Sequence, residues 1–297
     1  MKLIHVFSIF ATVESFFDGQ FKYLTDQGYE VVVVSSYAQN AEAVCKRNGV
    51  RFVPVNIPRS VSPMAIVKAV RKLCLLIREE KVDAVFGHTP VGALCAMIAA
   101  RVCGVKSRVY YRHGVIYTTM QGLKRTIFKA EERFVASLAT SVVNVSYSLS
   151  KLAVIDRLNC VSKQNVIGHG TCGGIDAYDV FNPQWIDNEK FMRLKANLGI
   201  GKPDIVFGFC GRICNDKGIP ELVNAFNIFQ KKHIDLKAKL LLIGIMDERD
   251  ILPQATRDAI KDSKDIVVSG WIKKSEIPYY YSMLDVFVFP SHREGFG

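Results

Sequence analysis

Two loops in this 297-residue sequence carry residue types suited to anionic and hydroxyl-rich ligands. In GRICNDKG, Arg212 and Lys217 lie in a loop that ends where a helical stretch begins. Unpaired amides and the helix dipole already favour anions at such a place. A guanidinium and an ammonium converging on one diphosphate would stabilise the charge that grows as a nucleotide departs, which is electrostatic catalysis without a metal. In SHREGFG, the Glu294 carboxylate stands beside Gly295 and Gly297, whose bare backbone lets a ligand approach closely. A carboxylate accepts hydrogen bonds from sugar hydroxyls. Each loop also has a plainer reading: a solvent-exposed turn with routine charges for the first, a surface carboxylate for the second.

Further candidates lie in the first half. They are the Asp18–Gly19 turn opening a helix, His88 in GHTP, His113 in YYRHG, and Asn144 with Ser146. His113 directly follows a strand-like run and precedes Gly114. His5 lies inside a strand and reads as a core histidine, and His169 in GHGTCGG reads as hinge. No cluster has metal-ligand spacing. The first strand is followed by SIFATVESFFDGQ, one glycine where a dinucleotide fold would have three, which argues against a nicotinamide or flavin dehydrogenase. The eight cysteines include no CxxC and several sit in apolar runs, so they read as reduced core thiols of a cytosolic protein.

These loops need a scaffold, and the periodicity supplies one. Strand-length apolar runs alternate with helix-period segments from end to end, the α/β pattern of open parallel sheets with helices on both faces. The first-half strands are LIHVFSI, EVVVVSS, VRFVPVNI, DAVFGH, RVYYRH and SVVNVS, enough for a complete doubly wound domain. After a Gly-rich and then turn-rich stretch the pattern restarts with DIVFGFCGR, KLLLIG, DIVVSG and DVFVFP. We therefore expect two Rossmann-like domains, 1–180 and 181–297, the second incomplete. The length agrees, at about 150 residues per domain.

The formal net charge of +11 is unevenly spread. Residues 1–170 hold 22 Lys and Arg against 11 Asp and Glu, whereas 171–297 hold 17 of each. Eight basic residues fall between Arg101 and Arg133, Arg112 among them, and such a patch suits an anionic partner. Nucleic acid fits poorly, because no recognition motif accompanies the charge. An acidic membrane surface fits better. Two segments read as basic amphipathic helices: Ile66, Val70, Leu73, Cys74 and Ile77 with their neighbouring cations, and Leu123, Ile127, Phe128, Val135 and Leu138 with theirs. An ordinary solvated helix face is the plainer account of either. The longest charge-free runs, 84–100 and 134–150, are 17 residues each and too polar to span a bilayer. The N-terminus shows no export signal.

GRICNDKGIPELVNAF, followed by DVFVFPSHREGFG, resembles the nucleotide-sugar half of glycosyltransferase family 4, retaining enzymes of the GT-B fold. Upstream, SFFDGQFKYLTDQGYEVVVVSS, GHTPVGALCAMIAAR, YYRHG and GGIDAYDVFNP resemble first-domain and hinge segments of bacterial members that build capsular or other lipid-linked polysaccharides.

The resemblance implies that Arg212 and Lys217, with Gly211, hold the donor diphosphate and that Glu294 binds hydroxyls of the transferred sugar. It implies that Gly295, Phe296 and Gly297 offer main-chain amides, that His113 faces the donor sugar, and that Gly19 lets a loop close over the diphosphate. His88 either caps a strand end or faces the acceptor. Such enzymes use same-side displacement with no protein nucleophile and no metal cofactor. The expectation is thus a cytoplasmic, peripherally membrane-bound transferase moving a sugar from a nucleotide donor, UDP-based, to a lipid-linked or glycan acceptor. The alternatives are a sugar-nucleotide epimerase on the same fold or a non-catalytic nucleotide-sugar-binding module. Family members carry a second glutamate, separated by seven residues from the one matching Glu294, so the sequence reads as C-terminally truncated, with weak nucleotide binding and little turnover expected.

Overall fold

A computed structural model describes all residues except 59–61, 172, 202, 203, 249 and 297. It divides into two compact units, the first formed by Met1–Gly174 with the chain end from Glu294, the second by Ile175–Arg293.

The first unit is built on a seven-stranded sheet. Its strands are β1 (Lys2–Val6), β2 (Glu30–Ser35), β3 (Arg51–Pro54), β4 (Ala84–His88), β5 (Ser107–Arg112), β6 (Ser141–Asn144) and β7 (Gln164–Asn165), in the order β3-β2-β1-β4-β5-β6-β7. All pairings are parallel. This is the doubly wound arrangement, with the chain reversing direction of growth between β1 and β4. The six expected strands are present. The seventh, two residues long, is too short to show a period.

Strands buried on both faces read as continuous apolar runs. On β1, Ile4 and Val6 enter one core layer, while Leu3 and, just past the strand, Phe7 enter the other with Phe17 and Phe21. His5 shares the second face, as the period of two requires, and is 4% exposed.

The two basic amphipathic segments are the helices Pro63–Glu80 and Gly122–Leu138. In the first, Ala69, Leu73 and Ile77 are buried in the core, so the apolar face offered to a membrane is already occupied. In the second, Val135 and Ala136 are buried, whereas Leu123 and Ile127 are 75% and 55% exposed. The sequence reading put all five apolar residues on one face, and the helix divides them between core and surface.

The basic patch also needs correction, because Arg112 is fully buried. Its Nε donates to Glu132 at 3.1 Å and its Nη1 to Asn144 at 3.1 Å, and the guanidinium lies 5.1 Å from the Tyr110 ring centroid. A cation counted toward the surface thus belongs to an internal ion pair.

In the second unit, β8 (Ile205–Cys210), β9 (Ala238–Ile243), β10 (Ile266–Val268) and β11 (Val286–Phe287) form a parallel sheet in the order β10-β9-β8-β11. These are the four strands expected. Leu240 and Leu242 face one layer, Leu241 and Ile243 the other. Helix Ile219–Lys232 buries Ile219, Leu222, Val223 and Phe226, the i, i+3, i+4, i+7 stripe that seats it on the sheet.

The seven described cysteines are free thiols. Cys45 and Cys95 are buried, which pushes both up to about 11 and makes them inert. Cys160 is exposed on the loop after helix Tyr147–Ile155, so it is not the core thiol expected. Cys172 lies outside the described residues.

Candidate functional site

In the second unit, β8 ends at Cys210 and the chain turns through Gly211 and Arg212 into the short helical turn Asn215–Lys217. Gly218 caps the following helix with φ +69°, and a Cβ there would stand 2.2 Å from the Pro290 carbonyl oxygen. Only glycine lets this helix start so close to the segment after β11.

Arg212 is half exposed and pairs with Asp247, whose side chain is 8% exposed. Lys217 Nζ lies 3.5 Å from the Arg293 carbonyl oxygen and 5.9 Å from the Phe289 ring centroid. Acidic side chains organise the rest of the loop. Asp250 accepts from Asn215 Nδ2 at 2.8 Å and from the Asp216 amide at 2.9 Å, and Asp216 pairs with Arg293. The sequence reading named the cations and missed Asp247 and Asp250. A guanidinium carries five N–H donors, so one carboxylate leaves Arg212 capacity for a second anion.

In the first unit, Gly295 packs against the end of β5. Its Cα lies close enough that a Cβ would fall 1.8 Å from the His113 carbonyl oxygen, and its own carbonyl accepts from Ser146 Oγ at 2.7 Å. Ser146 also caps helix Tyr147–Ile155 by accepting from the Leu149 amide. The structure thus brings together His113, Gly295 and Ser146. The Phe296 ring lies 3.0 Å from where a Gly170 Cβ would stand, and Glu294 is exposed. Gly297 lies outside the described residues. Asn144 is committed to Arg112 and Gln164. The Gly19 amide donates to Asn48 Oδ1 at 2.9 Å, while the space where a Cβ would stand is open within 4 Å. What Gly19 offers a ligand is therefore room, not its N–H.

His113 follows β5 directly. Its Nε2 lies 3.1 Å from His88 Nδ1, and its Nδ1 is buried without a hydrogen-bond partner. Burial lowers its pKa to about 4, so the ring is neutral near pH 7. Among the described residues, no group of three His, Cys, Asp or Glu side chains could hold a metal ion.

Comparison with known proteins decides the family. Residues 5–146 match the model of glycosyl transferase 4-like domains and residues 204–297 that of glycosyl transferases group 1. The chain belongs to the family 4-like, GT-B glycosyltransferases.

The whole chain of this glycosyltransferase aligns at 28% identity with 74% of the Staphylococcus aureus capsular polysaccharide biosynthesis glycosyltransferase CapM. It is 24% identical over 252 residues, 82% of its own length and 60% of the other's, to the Escherichia coli UDP-Gal:alpha-D-GlcNAc-diphosphoundecaprenol alpha-1,3-galactosyltransferase. Among solved structures, Anabaena HepE in complex with UDP-glucose superposes with a TM-score of 0.74 at 15% identity, covering 98% of this chain and 74% of that one. That likeness carries the fold, two Rossmann-like domains. The first family model lies within the first unit and its range contains His113; the second covers most of the second unit, with Arg212 and Lys217, and runs on through Glu294 in the chain end that belongs to the first unit.

Proposed function

We propose that this glycosyltransferase moves a sugar, with retention, from a UDP-sugar to a lipid-linked or glycan acceptor in polysaccharide biosynthesis. The observation that carries the reading is the alignment of the entire chain with a capsular polysaccharide glycosyltransferase, with both transferase family models matched in order. The galactosyltransferase relative, named for a UDP-sugar and a diphosphoundecaprenol-linked acceptor, and the UDP-glucose complex of the structural neighbour support the choice of partners.

In this reading Arg212 and Lys217, with Gly211, take the donor diphosphate. Their two positive charges stabilise the leaving group as the bond from the anomeric carbon to the phosphate oxygen breaks. The acceptor oxygen bonds to the same face of that carbon, and the departing phosphate takes the acceptor proton. No protein nucleophile or metal ion is assigned a part. Glu294 and the following residues bind sugar hydroxyls, and His113 contacts the sugar as an uncharged group.

Among the described residues, no helix is long and apolar enough to cross a membrane. Peripheral attachment at the cytoplasmic face is proposed instead through helix Gly122–Leu138, where exposed Leu123 and Ile127 flank Lys124 and Arg125.

The reading is tested by incubating the chain with UDP-[14C]glucose, UDP-[14C]galactose or UDP-N-[14C]acetylglucosamine and a polyprenyl-diphosphate sugar, with and without EDTA. Label in the lipid fraction, unaffected by chelation and in the α-anomer, is the expected result. Label that stays on the nucleotide as an isomerised sugar would identify an epimerase and overturn it.

A further inference from the structure

The sequence reading treated the first-half histidines one at a time, but in the fold three of them form a line. His5 Nδ1 lies 3.0 Å from His88 Nε2, and His88 Nδ1 lies 3.1 Å from His113 Nε2. Sheet register produces this alignment. His5 is opposite Phe86 in the β1–β4 pairing, and His88 stands two residues further along the same face. His88 is opposite Tyr111 in the β4–β5 pairing, and His113 again stands two residues further. Such diagonal neighbours on one face of a sheet are within reach of each other. The two end atoms of the line, His5 Nε2 and His113 Nδ1, are both buried without a partner.

Proton counting restricts this line severely. A neutral imidazole carries one N–H, and each nitrogen–nitrogen contact needs one donor and one acceptor. If His5 is protonated on Nδ1, then His88 must be bare on Nε2 and protonated on Nδ1, and His113 likewise. If any ring inverts, all three invert. The premise of neutrality holds because burial lowers His5 to about 3 and His113 to about 4. Burial, with the neighbouring His5 and His113, holds His88 well below its ordinary value. Rings surround the line: Phe86 stacks on His5 at 4.3 Å, Phe7 on His88 at 4.2 Å, and Tyr111 on His113 at 5.0 Å. Of these neighbours only Tyr111 carries an ionisable group.

We propose that His5, His88 and His113 share a single locked tautomer, Nδ1–H on every ring, so that His5 and His88 position His113 as an uncharged hydrogen-bond donor through its outer Nδ1–H. The deep end fixes the direction. A proton on His5 Nε2 would be an N–H sealed among aromatic rings on a residue 4% exposed, whereas His113, only partly buried just past the end of β5, is the end at which a ligand oxygen can supply the acceptor that its own Nδ1–H lacks in the fold. The line ends blindly at His5, so it sets a tautomer and carries no proton away. His113 therefore suits a hydroxyl or ether oxygen of a ligand and is unsuited to removing a proton from one. This use of the donor rests on the proposed sugar-contacting role of His113; the lock itself does not.

The test uses the full chain, 15N-labelled, without donor. Imidazole nitrogen spectra at pH 7 are expected to show all three rings as Nδ1–H, with couplings transmitted across both nitrogen–nitrogen hydrogen bonds. Unlike tautomers among the three, a shared Nε2–H form, or loss of coupling at either contact would overturn the proposal. In His88→Phe, which keeps a stacked ring but removes both nitrogens, His113 is expected to become a mixture of tautomers. An unchanged His113 spectrum in the folded variant would also overturn it, and should the variant not fold, the wild-type couplings decide. The functional reading fails separately. If His113→Ala transfers sugar as fast as wild type while the couplings are present, the lock stands and the sugar-contacting role falls.

Discussion

The two units handle their polar side chains in opposite ways. The first unit sinks them: three histidines held neutral in an aromatic layer, and Arg112 neutralised by Glu132 inside the core. The second keeps cations nearer the surface on the loops after β8 and β11, Arg212 half exposed beside Asp247 and Arg293 beside Asp216. Buried groups in a low dielectric are fixed in state and sensitive to the loss of a partner, whereas exposed pairs contribute little to stability and can trade one anion for another. Under the proposed function the two units take different chemical tasks, uncharged hydrogen bonding to hydroxyls in one and charge compensation in the other.

The sharpest way to break this contrast is to delete one cation from each unit. Arg112→Ala leaves Glu132 buried and unpaired, and is expected to destabilise the protein by about 3–5 kcal/mol in a denaturant melt. Replacing both members of the pair by apolar residues of similar volume should recover most of that loss. Arg212→Ala or Lys217→Ala should hardly move the melt but lower kcat/KM for the UDP-sugar by about 10²–10³. Asp247→Asn, which frees Arg212 from its partner, should not reproduce that loss. If Arg212→Ala unfolds the chain and Arg112→Ala spares it, the division of labour is wrong.

A smaller effect follows from acid titration. His5 and His113 have folded-state values of about 3 and about 4, below the 6.5 of an unperturbed histidine. As pH falls from 6.5 toward 4, the unfolded chain binds protons that the folded chain refuses, so stability is lost through that window and is flat with respect to these groups above it. His5 alone should remove about 2 kcal/mol by pH 5. Melts of wild type and His5→Phe at pH 8 and pH 5 check this, since the variant should lose less between the two. Equal losses would show that the histidines of the first unit do not titrate as buried groups.

The architecture was legible because central parallel strands, buried on both faces, leave uninterrupted apolar runs; the edge strands β3 and β11 kept such runs although they are more exposed, and the two-residue β7 showed none. The cationic loop was legible for a different reason, since Arg212 and Lys217 precede a helix start that composition marks plainly. What stayed hidden depended on register. Arg112 alternates with Tyr111, so it faces the same side as Tyr110 and meets Glu132, yet a count of basic residues places it on the surface. The histidine line needs two strand pairings to be known before its members become neighbours. Asp247 and Asp250 lie in a loop without periodicity, and nothing near them in sequence pointed to Asn215 or Arg212.

The smallest expected effect concerns the surface of the first unit, where charge counting and structure agree only in part. Helix Pro63–Glu80 has spent the stripe Ala69, Leu73 and Ile77 on the core and keeps Met64, Val67 and Leu75 exposed among its cations, so we assign it attraction to an anionic surface and leave insertion to the second helix. Helix Gly122–Leu138 keeps Leu123 and Ile127 outward beside Lys124 and Arg125, which combines attraction with insertion. Flotation with vesicles containing phosphatidylglycerol should therefore weaken about fivefold for each of Lys124→Ala and Arg125→Ala at low salt, the effect of about 1 kcal/mol per charge near such a surface. Leu123→Ser should weaken binding at high salt as well, because lost apolar contact is not screened. Lys68→Ala or Arg71→Ala should act only at low salt. If those substitutions on the first helix cost as much at high salt as Leu123→Ser does, the membrane is read by charge spread over the unit and not by one amphipathic helix.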